Sequence, residues 1–293
     1  MPSAVARIRR FHRAVTRETG ALDTSFLGRG RPLGPARVLN AIGQGMEEIG
    51  EIRSYLNLDS GLMSRLLRQL EAEGLLETLP DPADSRRRLA RLTEAGRREY
   101  AAYEALSDRQ AAEILSRHPR PQALLAAMDL VASALGRDSI TLAEVSPRDP
   151  RAVHCLQSYY TELGQRLAQG FDVTLSADPE ARDMEPPRGT FLIALSDGLP
   201  VACGGVKGTD KGYAEVKRVW TDPSARGLGL SRRMMAALEE RARALGILTL
   251  RLDSNSALHE AIALYRSSGW TEIDRFNDDP YPDHFFEKTL RDS

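Results

Sequence analysis

Residues 214–231 read Ala214-Glu215-Val216-Lys217-Arg218-Val219-Trp220-Thr221-Asp222-Pro223-Ser224-Ala225-Arg226-Gly227-Leu228-Gly229-Leu230-Ser231. The first part has the branched and aromatic side chains of a strand, which Pro223 ends because it has no N–H for a ladder. A glycine-bearing turn follows, and then Leu230, Met234, Leu238, Ala242 and Leu245 recur at helical spacing as far as Gly246. Strand, turn and helix N-terminus together make an anion site, because free backbone N–H groups converge there and the helix dipole adds partial positive charge. Gly227 and Gly229 let a diphosphate come close to the main chain. A dinucleotide fold would place Gly-x-Gly-x-x-Gly after its first strand. Here the pattern is Arg-Gly-x-Gly, it follows a charged strand, and it sits late in the chain.

The surroundings agree with an α/β unit. Short β-rich runs alternate with helices from Ser139 onward: Ile140–Val145, Phe191–Leu195, Val201–Val206, Ala214–Thr221 and Ile247–Leu252. Leu248, Leu250 and Leu252 fall on one face of the last run. Asp253-Ser254-Asn255 leads into a helix with Leu264-Tyr265, then Ser268-Gly269-Trp270, and two closing strands are expected at 271–276 and 284–290. This ordered set resembles the GNAT acetyltransferase superfamily, whose coenzyme A loop reads Gln/Arg-x-x-Gly-x-Gly/Ala. The chain has Arg226-x-x-Gly229-x-Ser231, departing at the last position.

The resemblance implies acetyl-CoA as acyl donor and an amine, on a small molecule or a protein lysine, as acceptor. An amine is protonated at neutral pH and must lose a proton before it attacks a thioester. Glu215 matches a position used as the base by several members of the family, often through water; its alternative is an ion pair with Lys217 or Arg218. Tyr265 matches the acid that protonates the departing thiolate; its alternative is a core aromatic. Val219, Trp220 and Thr221 would offer backbone N–H groups to the oxyanion. Arg226, Gly227, Leu228, Gly229, Leu230 and Ser231 would bind the coenzyme, and Asn255 would contact it or a nearby water. Tyr159 and Tyr160, on a helix at 151–168, are candidates for the acceptor pocket or the core.

The first half follows a different pattern. A helical segment at 47–56 is broken by Asn57-Leu58, and Asp59 can cap a second helix. In that helix Leu62, Met63, Leu66, Leu67 and Leu70 form an apolar stripe, while Gly61, Ser64, Arg65 and Arg68 share the opposite face. Two short strands around Pro80-Asp81-Pro82-Ala83-Asp84 follow, and the returning arm carries Arg86, Arg87, Arg88 and Arg91. A helix presenting Ser and Arg suits a major groove, and a basic hairpin suits a phosphate backbone or a minor groove. From about Leu33 to Tyr100 this resembles the MarR family, through the Ser64-Arg65 pair and the wing motif Asp84-Ser85-Arg86 followed by Leu92-Thr93. The resemblance implies double-stranded DNA as partner and a homodimer joined by helices at 3–20 and 94–135. Ser60, Gly61, Ser64, Arg65, Arg68, Arg86, Arg87 and Arg88 are the expected DNA contacts, with Asp84 shaping the wing through a pair with one of its arginines.

Charge divides the chain of 293 residues near the same place. Residues 1–137 hold 21 Lys/Arg against 17 Asp/Glu, and the remainder 19 against 24. With Gly136-Arg137-Asp138-Ser139 as joint, the expected fold is two domains: a mainly α winged helix-turn-helix at 1–137, then an α/β mixed-sheet GNAT acyltransferase fold at 138–293. Two cysteines and five scattered histidines suggest no disulfide framework and no metal site. No apolar stretch suggests a membrane span or a signal peptide, so a cytoplasmic protein is expected. The leading reading is a bifunctional DNA-binding regulator and N-acetyltransferase. The alternative is a non-enzymatic regulator whose second domain senses acyl-CoA, for which the hint is Ser231 in place of Gly or Ala.

Overall fold

The computed structural model describes residues 3–84, 86–176 and 178–290. Ser85, part of the wing motif, lies outside the described residues. The chain divides into two compact units, Met1–Pro121 and Gln122–Ser293.

The first unit contains α1 (Ala4–Glu18), α2 (Leu33–Gly43), α3 (Ile49–Tyr55), α4 (Ser60–Ala72), the hairpin β1 (Leu76–Pro80) and β2 (Arg88–Leu92), and α5 (Glu94–Ser116). Asp59 caps α4 as expected, its Oδ1 accepting from the Leu62 N–H at 2.8 Å. Met63, Leu66, Leu67 and Leu70 are buried against Val38, Leu39, Ile52 and Tyr103. Such burial is the main force holding a small helical unit together. The hairpin is antiparallel, pairing Leu76 with Leu92 and Pro80 with Arg88. Arg91 is tied to Glu47 at 3.0 Å, so it braces the wing against the segment that leads into α3. Glu99 of α5 accepts from Arg29 and Arg31 at 2.5 and 2.7 Å. Gly96 is needed where α5 starts, since a Cβ there would lie 1.8 Å from the Leu75 carbonyl oxygen.

Helix α6 (Pro121–Leu135) falls almost wholly in the second unit, upstream of the polar joint at 136–139; its Ser133 hydroxyl lies 3.4 Å from that of Ser224. The unit continues with β3 (Thr141–Glu144), α7 (Pro150–Arg166), β4 (Thr190–Ser196), β5 (Leu199–Lys207), β6 (Ala214–Thr221), α8 (Leu230–Ala244), β7 (Thr249–Ser254), α9 (His259–Ser267), β8 (Thr271–Glu272) and β9 (His284–Thr289). Seven strands form one mixed sheet in the order β3-β4-β5-β6-β7-β9-β8, parallel only between β6 and β7. On one face Leu230, Met234, Leu238 and Ala242 of α8 pack with Val206, Val216, Leu250 and Leu252. On the other, Ala152, Cys155 and Leu156 of α7 pack with Phe191, Ile193, Cys203 and Trp220.

Two expected core positions are exposed. Leu245 follows the last residue of α8, and Leu248 precedes β7, so neither belongs to the regular element whose period would bury it. The expected strand at 271–276 has two paired residues, Thr271 and Glu272.

Candidate functional site

Strand β6 carries the site because it deforms midway. Cys203 pairs with Trp220 and Gly205 with Lys217, so Arg218 and Val219 together face the single residue Gly204. This is a β-bulge, and Arg218 adopts φ 58°, a left-handed conformation that costs a non-glycine residue about 1 kcal/mol or more. The β6–β7 ladder stops at Val216 and Leu252. Beyond that point the two strands diverge, which leaves the β6 main chain from 217 onward without a partner strand on that side.

A cleft of 470 Å³ opens on this gap, lined by Val219, Trp220, Thr221, Arg226, Gly227, Gly229, Leu230 and Ser231 among others. Gly227 and Gly229 have φ 77° and 79°, and a Cβ on either would meet no atom within 4 Å. Their conformation requires glycine, and the space over them is open. The helix α8 begins directly after Gly229, so its free N–H groups face the same cleft. Ser231, the departure from the usual motif, directs its hydroxyl to Thr221 Oγ1 at 2.9 Å. Leu228 and Asn255 do not line this cleft. Asn255 instead donates to the Tyr281 carbonyl at 2.6 Å, accepts from the Ala257 N–H, and borders a second cavity.

Glu162 of α7 holds the turn from the side. Its Oε2 accepts from Arg226 Nη2 at 2.5 Å and from Trp220 Nε1 at 3.0 Å, and Arg166 lies 3.2 Å from Oε1. Burial pushes the Glu162 carboxyl up, but the hydrogen bonds from Arg226 and Trp220 outweigh that and hold it below the usual carboxylate range.

The second cavity, of 110 Å³, lies beside the first. Both are bordered by Tyr159, Leu163, Val219, Leu258, Ala261 and Tyr265. Tyr265 is buried, packed near Trp270 and Phe286 with centroids at 6.3 and 5.7 Å. Burial, reinforced by Asp253, pushes its phenol well above the ordinary range, so it stays protonated where thiols ionise.

Glu215 is where the structure departs most from a simple reading. It is buried, borders neither cavity, and stands 3.5 Å from Lys217 Nζ and 3.9 Å from Lys207 Nζ, while its Oε2 has no hydrogen-bond partner. Lys217 itself donates to Asp253 at 2.5 Å. Burial would lower the Lys217 ammonium's pKa, yet Asp253, Glu215 and Asp279 outweigh that and raise it. Lys207, Lys217, Arg218, Asp178 and Asp253, all bordering the second cavity, did not stand out in the sequence. One signal was available: the chain has only four lysines, and two of them are here. Cys203 is packed under the bulge, its Sγ 3.4 Å from the Arg218 carbonyl, and burial raises its thiol far above the usual value.

In the first unit Ser60, Gly61, Ser64, Arg65 and Arg68 on α4 and Arg86, Arg87 and Arg88 on the wing are all exposed. Asp84 lies 3.3 Å from Arg86 and 3.6 Å from Arg87 and also accepts the Arg86 N–H, which shapes the tip. Among the described residues no helix is long and apolar enough to cross a membrane, and no cluster of His, Cys, Asp or Glu is placed to hold a metal.

Comparison with known proteins agrees with this geometry. Residues 154–270 match the family model described as Acetyltransferase (GNAT) family, and residues 36–96 match that of a winged helix DNA-binding domain. An IAA acetyltransferase from Azospirillum brasilense is 32% identical over 157 residues, 52% of this chain and 99% of the relative. The chain belongs to the GNAT acetyltransferase family. An uncharacterized N-acetyltransferase from Escherichia coli is 26% identical over 43% of this chain and 78% of its own length. The solved structure of a GNAT-family acetyltransferase from Staphylococcus aureus is 17% identical, covers 52% of this chain and 99% of its own, and has a TM-score of 0.46. This GNAT protein therefore carries a winged helix DNA-binding domain ahead of its acyltransferase fold.

Proposed function

We propose that the second unit transfers an acetyl group from acetyl-CoA to an amine. The observation that carries this reading is the junction of the two cavities: a glycine turn suited to a diphosphate, a strand gap, and a chamber beyond it meet at Val219 and Tyr265. The open turn, with two glycines at positive φ and no atom where a Cβ would stand, fits a pantetheine carrier. Bound there, the donor supplies a thioester carbonyl open to attack.

The chain's own residues then divide the work. An N–H of β6 between Val219 and Thr221 faces the negative charge that develops on the acyl oxygen. Glu215, whose Oε2 makes no hydrogen bond, accepts the proton that the amine must lose, relayed by water because the carboxylate does not border the cavity. The new N–C bond forms as the C–S bond breaks, and Tyr265 gives its phenolic proton to the sulfur. The Ser231 hydroxyl, committed to Thr221, leaves the turn open, which weakens the only hint for a purely sensing domain.

The first unit, in the same reading, binds double-stranded DNA through α4 and the wing. Self-association is supported by α1, which buries no residue and exposes Val5, Ile8, Phe11 and Val15 along one stripe. Thiol release from acetyl-CoA across a panel of amines tests the enzyme, with calorimetry of coenzyme binding alongside. Neither turnover nor binding would remove the acyltransferase reading.

A further inference from the structure

The second cavity contains more charge than amine acylation requires. An amine acceptor arrives as a cation, so a chamber built only to receive it would hold carboxylates and apolar walls, and buried cations there would repel it. This chamber is bordered by three: Lys207, Lys217 and Arg218. Two are accounted for within the protein. Lys217 is matched by Asp253, Glu215 and Asp279 at 2.5, 3.5 and 3.9 Å. Arg218 donates to the Asp178 main-chain carbonyl and lies 5.8 Å from the centre of the Tyr160 ring.

Lys207 is different. It is 8% exposed, and among the described residues its ammonium makes no hydrogen bond; its one ion pair, to Glu215 Oε1, spans 3.9 Å. An ammonium that borders a cavity and makes no hydrogen bond is open to a ligand anion. The same chamber has a counterpart of opposite sign. Asp178 Oδ1 accepts from the Arg182 N–H at 3.1 Å, but Oδ2 is buried with no partner. Around these groups runs a wall of rings: Tyr159 to Tyr160 at 5.7 Å, Tyr160 to Phe171 at 5.5 Å, and Phe171 to Tyr281 at 4.8 Å between centroids. The 110 Å³ of space is of the order of the roughly 150 Å³ cavities that take up benzene.

We infer that the acceptor is a small amino carboxylic acid with a flat aromatic body. Its carboxylate sits on Lys207 and its ring lies against the Tyr160–Phe171 wall, where a second donor such as an indole N–H meets Asp178 Oδ2. The inference rests on the acyltransferase reading, and it adds the class of acceptor.

The test measures thiol release by the full-length protein with matched pairs: phenylalanine against phenethylamine, tryptophan against tryptamine, and aminobenzoate against aniline. The expected result is a kcat/KM at least about 30-fold higher for the acid of the best pair, the usual effect of a charge-assisted hydrogen bond. In Lys207→Met that ratio should collapse through a raised KM for the acid, whereas Lys207→Arg, which keeps the cation, should retain most of it. Equal or faster reaction of the decarboxylated amines overturns the inferred class and leaves the acyltransferase standing. Thiol release from none of these compounds, with simple polyamines also inert, removes both.

Discussion

At Glu215 the carboxylate meets two ammonium groups, of Lys207 and Lys217, and their balance separates two roles for it. If Glu215 is the base, Glu215→Gln lowers kcat by about 100-fold or more and leaves the KM for acetyl-CoA nearly unchanged. If it only balances Lys207 and Lys217, turnover persists and the loss appears in the melting temperature. Both quantities should be measured on the same variant. Tyr265 makes a separate prediction. A phenol held above its ordinary value of 10.0 remains a proton donor through that pH, so kcat should show no alkaline fall assignable to it below that point. Tyr265→Phe should lower kcat by about 100-fold across the whole profile. At this scale the sequence was informative about residue type and poor on direction. Tyr265 borders both cavities while also packing in the core, Glu215 borders neither, and nothing local in the run 214–217 says which side chain reaches the open space.

At the scale of elements, the bulge in β6 decides where the sheet opens. Its conformation at Arg218 favours glycine, so Arg218→Gly should keep stability within about 1 kcal/mol despite losing the bond to Asp178. Arg218→Val, β-branched in a left-handed position, should cost about 2 kcal/mol more than the glycine variant. Chemical denaturation of the two variants compares them directly. The bulge was only half legible beforehand: Lys217-Arg218 followed by Val219-Trp220 breaks the alternation of a regular strand, but the extra residue is fixed only once Gly204 has its partners. Elements that bury a long stripe were easier to read. The faces of α4 and α8 follow from their leucines and methionines, whereas Leu245 and Leu248 misled because each lies one step outside its element.

For the whole molecule, the winged helix and the GNAT fold lie in different units, so on the proposed function their assays should respond to different residues. Replacing Arg65, Arg86 and Arg87 by Gln should flatten the slope of log K for DNA against log salt by about 0.9 for each phosphate that the variant no longer neutralises. Thiol release should not change in that variant. A salt slope identical to that of the native protein would mean these exposed arginines do not meet DNA. The chain-scale reading in two parts came from the change of period and charge near residue 137, which needs no knowledge of contacts. The second cavity could not be read that way, because its wall comes from α7, a loop at Phe171, the end of β5 and a loop at Tyr281, distant in sequence and joined only by folding.

The grip of Glu162 on Arg226 has one more consequence. A phosphate arriving at the turn finds that guanidinium already matched by a carboxylate at 2.5 Å, so it must win an exchange of partners before it gains the cation. Glu162→Gln should therefore strengthen coenzyme affinity, by about 10-fold at most for one such competitor, and titration calorimetry would read that change as a tighter Kd. On the proposed coenzyme site, a carboxylate in that position would act as a resident rival, trading tight retention of the spent carrier for its ready departure.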